Sequence, residues 1–282
     1  MSQMQSEITN STRKSFSWKL FGLVLLLVAL GALAKIPAAI YVEGFTGKPE
    51  VWLKVTRILF TQDFFILGLI PAAIGLVLVS RLGLDLPILE SLISGKSATA
   101  NYRRIVQTAL ISGFLLAIVG VLMQLLTKPL IVANLGALGV NADFLNTDTS
   151  PAPWWAMMLL SFSAGVTEEV AFRLGLLTFV AWLGSLIWKP RQKQVRPAVF
   201  WTANILIALL FGVAHFSNIA AAGIPLVPGL IVRTLVGNSL AAMVFGWLFW
   251  KYGLESAILS HTFLDVMIFV VTPILMPIIG LA

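Results

Sequence analysis

Residues 154–188, WWAMMLLSFSAGVTEEVAFRLGLLTFVAWLGSLIW, form one apolar run interrupted by a polar knot, Glu168-Glu169-Val170-Ala171-Phe172-Arg173. As a continuous helix the run would extend ~52 Å at ~1.5 Å per residue, well beyond the ~30 Å hydrocarbon core of a bilayer. It is therefore expected to tilt, to break near Gly165 or Gly175, or to project from the membrane. A charge in mid-bilayer costs at least ~2.5–3.5 kcal/mol on insertion scales. Three charges within six residues must therefore be partnered, and the nature of those partners decides what the protein does.

Composition sets the frame for this stretch. The chain has 282 residues, of which 59% are hydrophobic and 11% charged, whereas soluble domains carry ~25% charged residues. It reads as an integral membrane protein. Further apolar segments at about 16–40, 60–80, 105–126, 198–216, 229–252 and 254–282 leave no room for barrel alternation, and backbone groups in lipid must be satisfied within each segment. The expected fold is an all-α polytopic helical membrane protein with seven to eight transmembrane helices and a polar intramembrane cavity. The count depends on whether Pro273 and Pro277 divide the last segment. The net charge of +7 fits basic loops held on one side of a membrane rather than a nucleic-acid surface. There is no cysteine, so thiolate catalysis and Cys-based metal sites are excluded.

Residues 1–14 are polar and read as a disordered cytoplasmic N-terminus, followed by a retained first span with Arg13, Lys14 and Lys19 on its cytoplasmic side. The cytoplasmic loops then hold Arg81, Lys96, Arg103 and Arg104, and Lys189, Arg191, Lys193 and Arg196. The opposite side holds Lys128, Asp143 and Asp148. Residues 34–59 break the pattern, with Lys35, Lys48, Lys54 and Arg57 outnumbering Glu43 and Glu50. Two amphipathic stretches, Val51–Val55 and Leu84–Ile93, are expected to lie along the interface. The chain divides into 15–150, a set of helices and interfacial segments, and 151–282, which holds most of the buried polar groups.

Within the spans the ionisable inventory is short: Glu168, Glu169, Arg173, His215, Arg233, His261 and Asp265, with Asp63 near the start of the second span. Glu169 and Arg173 are i,i+4 and share a helix face, acid before base, the favourable order. Glu168 is turned by ~100° and has no such partner in its own helix, which frees it to face a cavity as a general base. Structural gluing of both acids by Arg173 and Arg233 is the bland alternative. Phe211 and His215 stack one turn apart on the fifth span, as do His261 and Asp265 on the seventh. Three spans each contributing one or two of so few buried ionisable groups point to one shared intramembrane site.

Glu-Glu-x-x-x-Arg, Phe-x-x-x-His and His-x-x-x-Asp/Asn, in this order on separate spans, resemble the CPBP (Abi) family of intramembrane proteases. That family includes the type II CAAX prenyl endopeptidases and bacteriocin-immunity and bacteriocin-processing proteins. The resemblance covers about 155–270 and implies that Glu168 and His215 activate water. It further implies that His261 and Asp265 stabilise the oxyanion, while Glu169 and Arg173, with Phe211 beside them, hold the site together. Asp265 stands where the prenyl endopeptidases typically have Asn, and a carboxyl donates a hydrogen bond only when protonated. The resemblance also implies a prokaryotic plasma membrane setting, with membrane lipid and a membrane-embedded or lipidated peptide as partners.

The leading reading is thus an intramembrane endopeptidase. No cofactor is expected in its glutamate-type version; a zinc version would use Glu168, His215 and His261, although no H-E-x-x-H signature is present. A non-catalytic immunity or scaffold protein is the second reading. A proton-coupled transporter is the third, and it lacks the repeat symmetry expected of one.

Overall fold

The computed structural model describes residues 16–42, 49–95, 99–142, 152–190 and 194–278. Among them, seven helices are long and apolar enough to cross a membrane: α1 Trp18–Tyr41, α2 Trp52–Leu82, α3 Tyr102–Ala137, α4 Trp154–Ile187, α5 Pro197–Ala221, α6 Pro228–Tyr252 and α7 Leu254–Ile278. The protein is an all-α polytopic membrane protein. The expectations for residues 1–14, Glu43, Lys48, Lys96, Asp143, Asp148, Arg191 and Lys193 lie outside the described residues.

The polar knot sits on the central helix. Half of the most apolar window of α4 is buried in protein, against 22% for α3 at the periphery, and α4 touches α1, α2, α5, α6 and α7. Large side chains from these helices, among them Val28, Leu76, Leu174, Phe200, Phe245 and Phe249, form the main core. Such contact requires small residues, because in lipid the association of helices rests on close packing. On α2, Gly75 lies against the backbone carbonyl of Leu174. A methyl group on Gly175 of α4 would come within 2.9 Å of the Pro71 Cα.

α4 does not break at either glycine. It runs as α-helix over Trp154–Glu169, widens into a π-helix over Val170–Leu177, and resumes over Thr178–Ile187. The Thr178 hydroxyl donates to the Arg173 carbonyl at 3.0 Å, an oxygen that also accepts the Thr178 backbone N–H across the wider turn. The same device appears in α7, where the Thr272 hydroxyl donates to the Met267 carbonyl at 2.8 Å beside the π-helix Met267–Val271. Helix then continues through Pro273 and Pro277 to Ile278, so the last segment is one interrupted span rather than two. π-turns of this kind concentrate at functional sites.

Two sequence expectations change here. Lys35, counted among the charges of an outer loop, instead lies in a turn within α1, and its Nζ is 3.2 Å from both carboxylate oxygens of Asp63 on α2. It neutralises an acid that is only 1% exposed, so it carries no topological information. The stretch after α2 is more than a surface anchor: Leu84 and Leu86 are fully buried, and the helix Pro87–Ser94 that follows is tied to α7. The Leu89 N–H donates to Glu255 at 2.8 Å, so a carboxylate from α7 caps the helix from outside.

If this packing is as tight as the Gly175 approach implies, Gly175→Val will destabilise the protein by about 1–3 kcal/mol. The change will appear as a lower midpoint in a fluorescence-detected size-exclusion melt in detergent. Gly22→Val in α1, where nothing lies within 4 Å, will leave that midpoint unchanged.

Candidate active site

Glu169 is completely buried, and its two oxygens are shared between two cations or donors. Oε2 lies 3.0 Å from Arg173 Nε on the same helix, as the i,i+4 spacing predicts. Oε1 lies 2.8 Å from His261 Nδ1 on α7. A carboxylate only accepts, so His261 carries its proton on Nδ1 toward Glu169. This contact, across 92 residues of sequence, is not one that helical spacing indicates; spacing only places Asp265 one turn from His261. Asp265 instead faces the opposite nitrogen, with Oδ2 3.6 Å from Nε2, within ion-pair reach but outside a hydrogen bond.

Arg173 is likewise almost wholly buried. Its Nη2 donates to the Ala242 carbonyl of α6 at 3.1 Å. Its guanidinium carbon lies 4.8 Å from the centre of the Phe211 ring and 5.3 Å from that of Phe245. Phe245 also stacks on the His261 imidazole, with centroids 4.7 Å apart and planes 15° from parallel. The cation, the carboxylate and the imidazole therefore sit in one aromatic box built from α4, α5, α6 and α7. Arg233, the other candidate partner for the acids, forms no ion pair among the described residues; it is half-buried on α6.

His215 joins the box through Phe211. The two rings are 4.6 Å apart, and Phe211 in turn lies 6.0 Å from His261. The first helical piece of α5 ends at Ala214, and a second, Phe216–Ala221, resumes after His215. The fifth span thus extends past the histidine to Ala221. His215 Nδ1 donates to the Phe211 carbonyl at 2.8 Å, which leaves Nε2 as the nitrogen available to the site. No hydrogen bond links His215 to Glu168 or to His261 among the described residues.

Glu168 is half-buried, and its Oε2 is buried without a hydrogen-bond partner among the described residues. It lies within electrostatic reach of Arg173, His261 and Asp265, and also of Asp63 on α2. Glu169 thus has two partners, Arg173 and His261, and Glu168 has no ion pair or hydrogen bond among the described residues. Sequence reasoning missed Phe245 and the Ala242 carbonyl, which carry no polar signal. It also missed Lys35, whose position at a span end disguised it as a loop charge. Among the described residues no three His, Asp or Glu side chains are grouped closely enough to hold a metal ion.

All of the motif residues fall inside the segment 150–267, which matches the family model described as type II CAAX prenyl endopeptidase Rce1-like. The chain carries an Rce1-like domain. Over that segment, the match supports a CAAX-type intramembrane protease at the level of the family. Comparison with curated proteins and with solved structures gave no match. The Lys35–Asp63 pair lies outside the Rce1-like segment, and Asp63 is within electrostatic reach of Glu168.

Removal of the Arg173 side chain would strand the Glu169 charge in the box, and breaking one partner of a buried pair costs about 3–5 kcal/mol. Arg173→Ala is therefore expected to lower the yield of folded protein in detergent. Arg173→Lys will recover little of it, because a single ammonium cannot both pair with Glu169 and reach the Ala242 carbonyl while lying on two rings. Thermal melts of the two purified variants check both expectations.

Proposed function

We propose that the Rce1-like domain hydrolyses a peptide bond of a membrane-embedded or lipidated substrate by a metal-free, glutamate-assisted attack of water. The observation that carries this reading is the division between the two adjacent acids. Glu169 is ion-paired with Arg173 and accepts a hydrogen bond from His261, whereas Glu168 forms neither an ion pair nor a hydrogen bond among the described residues and keeps a buried oxygen within electrostatic reach of the same imidazole.

In this reaction Glu168, assisted by the free Nε2 of His215, accepts a proton from water as its oxygen attacks the scissile carbonyl carbon. The C=O pair moves onto oxygen, and the resulting oxyanion is met by donors in a site largely closed to water. His261 is the leading donor. Glu169 fixes its ring through Nδ1, so a proton on Nε2 points to the side where Asp265 lies. Collapse of the tetrahedral centre breaks the C–N bond, and the proton held by the Glu168–His215 pair passes to the leaving nitrogen. The products are a carboxylate and an amine.

A metal-free route is favoured by the way the imidazoles are used. Each Nδ1 is committed, one to Glu169 and the other to the Phe211 carbonyl, and Glu168 forms no ion pair among the described residues. Elemental analysis of purified protein, with cleavage measured before and after chelation, checks this. A stoichiometric metal lost together with activity would replace the glutamate mechanism with a metal-dependent one.

The assay for the proposal itself compares Glu168→Gln and His215→Ala with the parent protein, using a membrane-anchored peptide substrate. Each variant is expected to lose about 10²–10⁴ of the cleavage rate at normal abundance and unchanged melting midpoint. Cleavage that survives in Glu168→Gln would sink the assignment. Loss of the cellular phenotype only when the protein itself disappears would favour a non-catalytic immunity or scaffold role.

A further inference from the structure

A second polar feature lies at the other end of α7. Where α3 begins, α6 ends and α7 begins, a pocket of about 510 Å³ opens on the surface, lined by Arg104, Lys251, Asp85, Trp247, Trp250 and Tyr252. The first turns of α7 separate it from His261, and the intervening Leu248, Leu254 and Ala257 are fully buried. It is thus distinct from the catalytic box. Both cations are exposed, and each rests on a ring: the Arg104 guanidinium lies 5.6 Å from the centre of Tyr252, and Lys251 Nζ lies 3.7 Å from the centre of Trp250.

Three observations identify the ligand class. The first is charge. Two cations and one acid line the pocket, and this end of the bundle also carries Arg81, Arg103, Lys189 and Arg196 at the ends of α2, α3, α4 and α5. Basic pockets between membrane helices at the headgroup level are suited to anionic lipid heads. The second is the aromatic layer. Trp and Tyr at a helix end mark the headgroup interface, but here the Trp250 and Tyr252 faces are already met by the protein's own cations. A choline group, which would need those ring faces, is therefore at a disadvantage. The third is an apolar track. From Arg104, one face of α3 continues through Ile111, Leu115, Ile118 and Leu122, which are 60%, 56%, 42% and 52% exposed. From Ile111 to Leu122 the track runs ~16 Å at ~1.5 Å per residue, about half of a ~30 Å hydrocarbon core. That is the reach of an acyl chain within one leaflet.

We propose that this pocket is a specific site for an anionic phospholipid, with its phosphate on Arg104 and Lys251 and an acyl chain along α3. A free phosphate shares the headgroup chemistry but has no use for the track, and an acidic peptide likewise leaves the track uncovered. The site anchors the start of α7, the helix that carries His261 and Asp265, to the surrounding leaflet.

Native mass spectrometry of the full-length protein in detergent, titrated with phosphatidylglycerol or with phosphatidylcholine of the same chain length, tests the proposal. Each cation near a headgroup contributes on the order of fivefold in affinity. The parent protein is expected to retain phosphatidylglycerol at least about tenfold better than phosphatidylcholine. Arg104→Gln with Lys251→Gln will reduce that preference to within about twofold, and Arg81→Gln, at the same end but outside the pocket, will leave it intact. Should the double variant not fold, each single variant is expected to lose part of the preference. Absence of any preference in the parent protein overturns the site. So does a preference that the Arg104 and Lys251 changes leave untouched, or one that Arg81→Gln removes equally. Full competition by millimolar inorganic phosphate, or by a soluble acidic peptide, overturns the lipid assignment in favour of a chain-less anion.

Discussion

The structure depends on one constraint, that a carboxylate with no access to water must be matched on both of its oxygens. Glu169 meets it with Arg173 from its own helix and His261 from α7. In the same dry space Arg173 donates through Nη2 to the Ala242 carbonyl and lies over the faces of Phe211 and Phe245, while Nη1 has no hydrogen-bond partner among the described residues. Four helices are thereby pinned to one charge. Low dielectric strengthens each of these contacts and raises the cost of losing any of them, so the cluster works as a scaffold as well as a site.

This arrangement explains why two adjacent glutamates are present. A single acid engaged by both Arg173 and His261 has no free lone pair directed at a substrate. The neighbouring position, one residue and ~100° further round, escapes the clamp while sharing its field. In the proposed reaction Glu169 is a positioning residue and Glu168 the group that touches water. The π-helix that starts at Val170 lies directly after both acids and contains Arg173, so the wider turn sits where the site needs an irregular backbone.

The helices outside the Rce1-like segment are not passive cover. α2 supplies Pro71 and Gly75 to the π-turn of α4, and Asp63, paired with Lys35, is within electrostatic reach of Glu168. At the basic end, Glu255 joins the helix Pro87–Ser94 to the start of α7. The catalytic helix is thus tied both to the amino-terminal half and to the interface where the lipid pocket opens.

Membership of the membrane-protein class, the place of each of the seven spans and the Glu169–Arg173 pair were legible in the sequence, although the second span begins eight residues earlier and the third ends eleven residues later than the apolar runs alone indicate. Each rests on local information: a run of apolar residues long enough to cross a bilayer, or two residues one helical turn apart. The continuity of α4 through Gly175 and of α7 through Pro273 was not legible, because the π-turns that accommodate them depend on threonine hydroxyls and on packing against other helices. Nor was the partner of His261. Spacing only places Asp265 one turn away on the same helix, but tertiary packing brought Glu169 closer. The choice between them depends on how α4 and α7 approach at Gly165, where the neighbouring atoms belong to Thr262 and Ile258. A sequence read one helix at a time reveals which charges need a partner; only the packing of helices against one another decides which partner each of them finds.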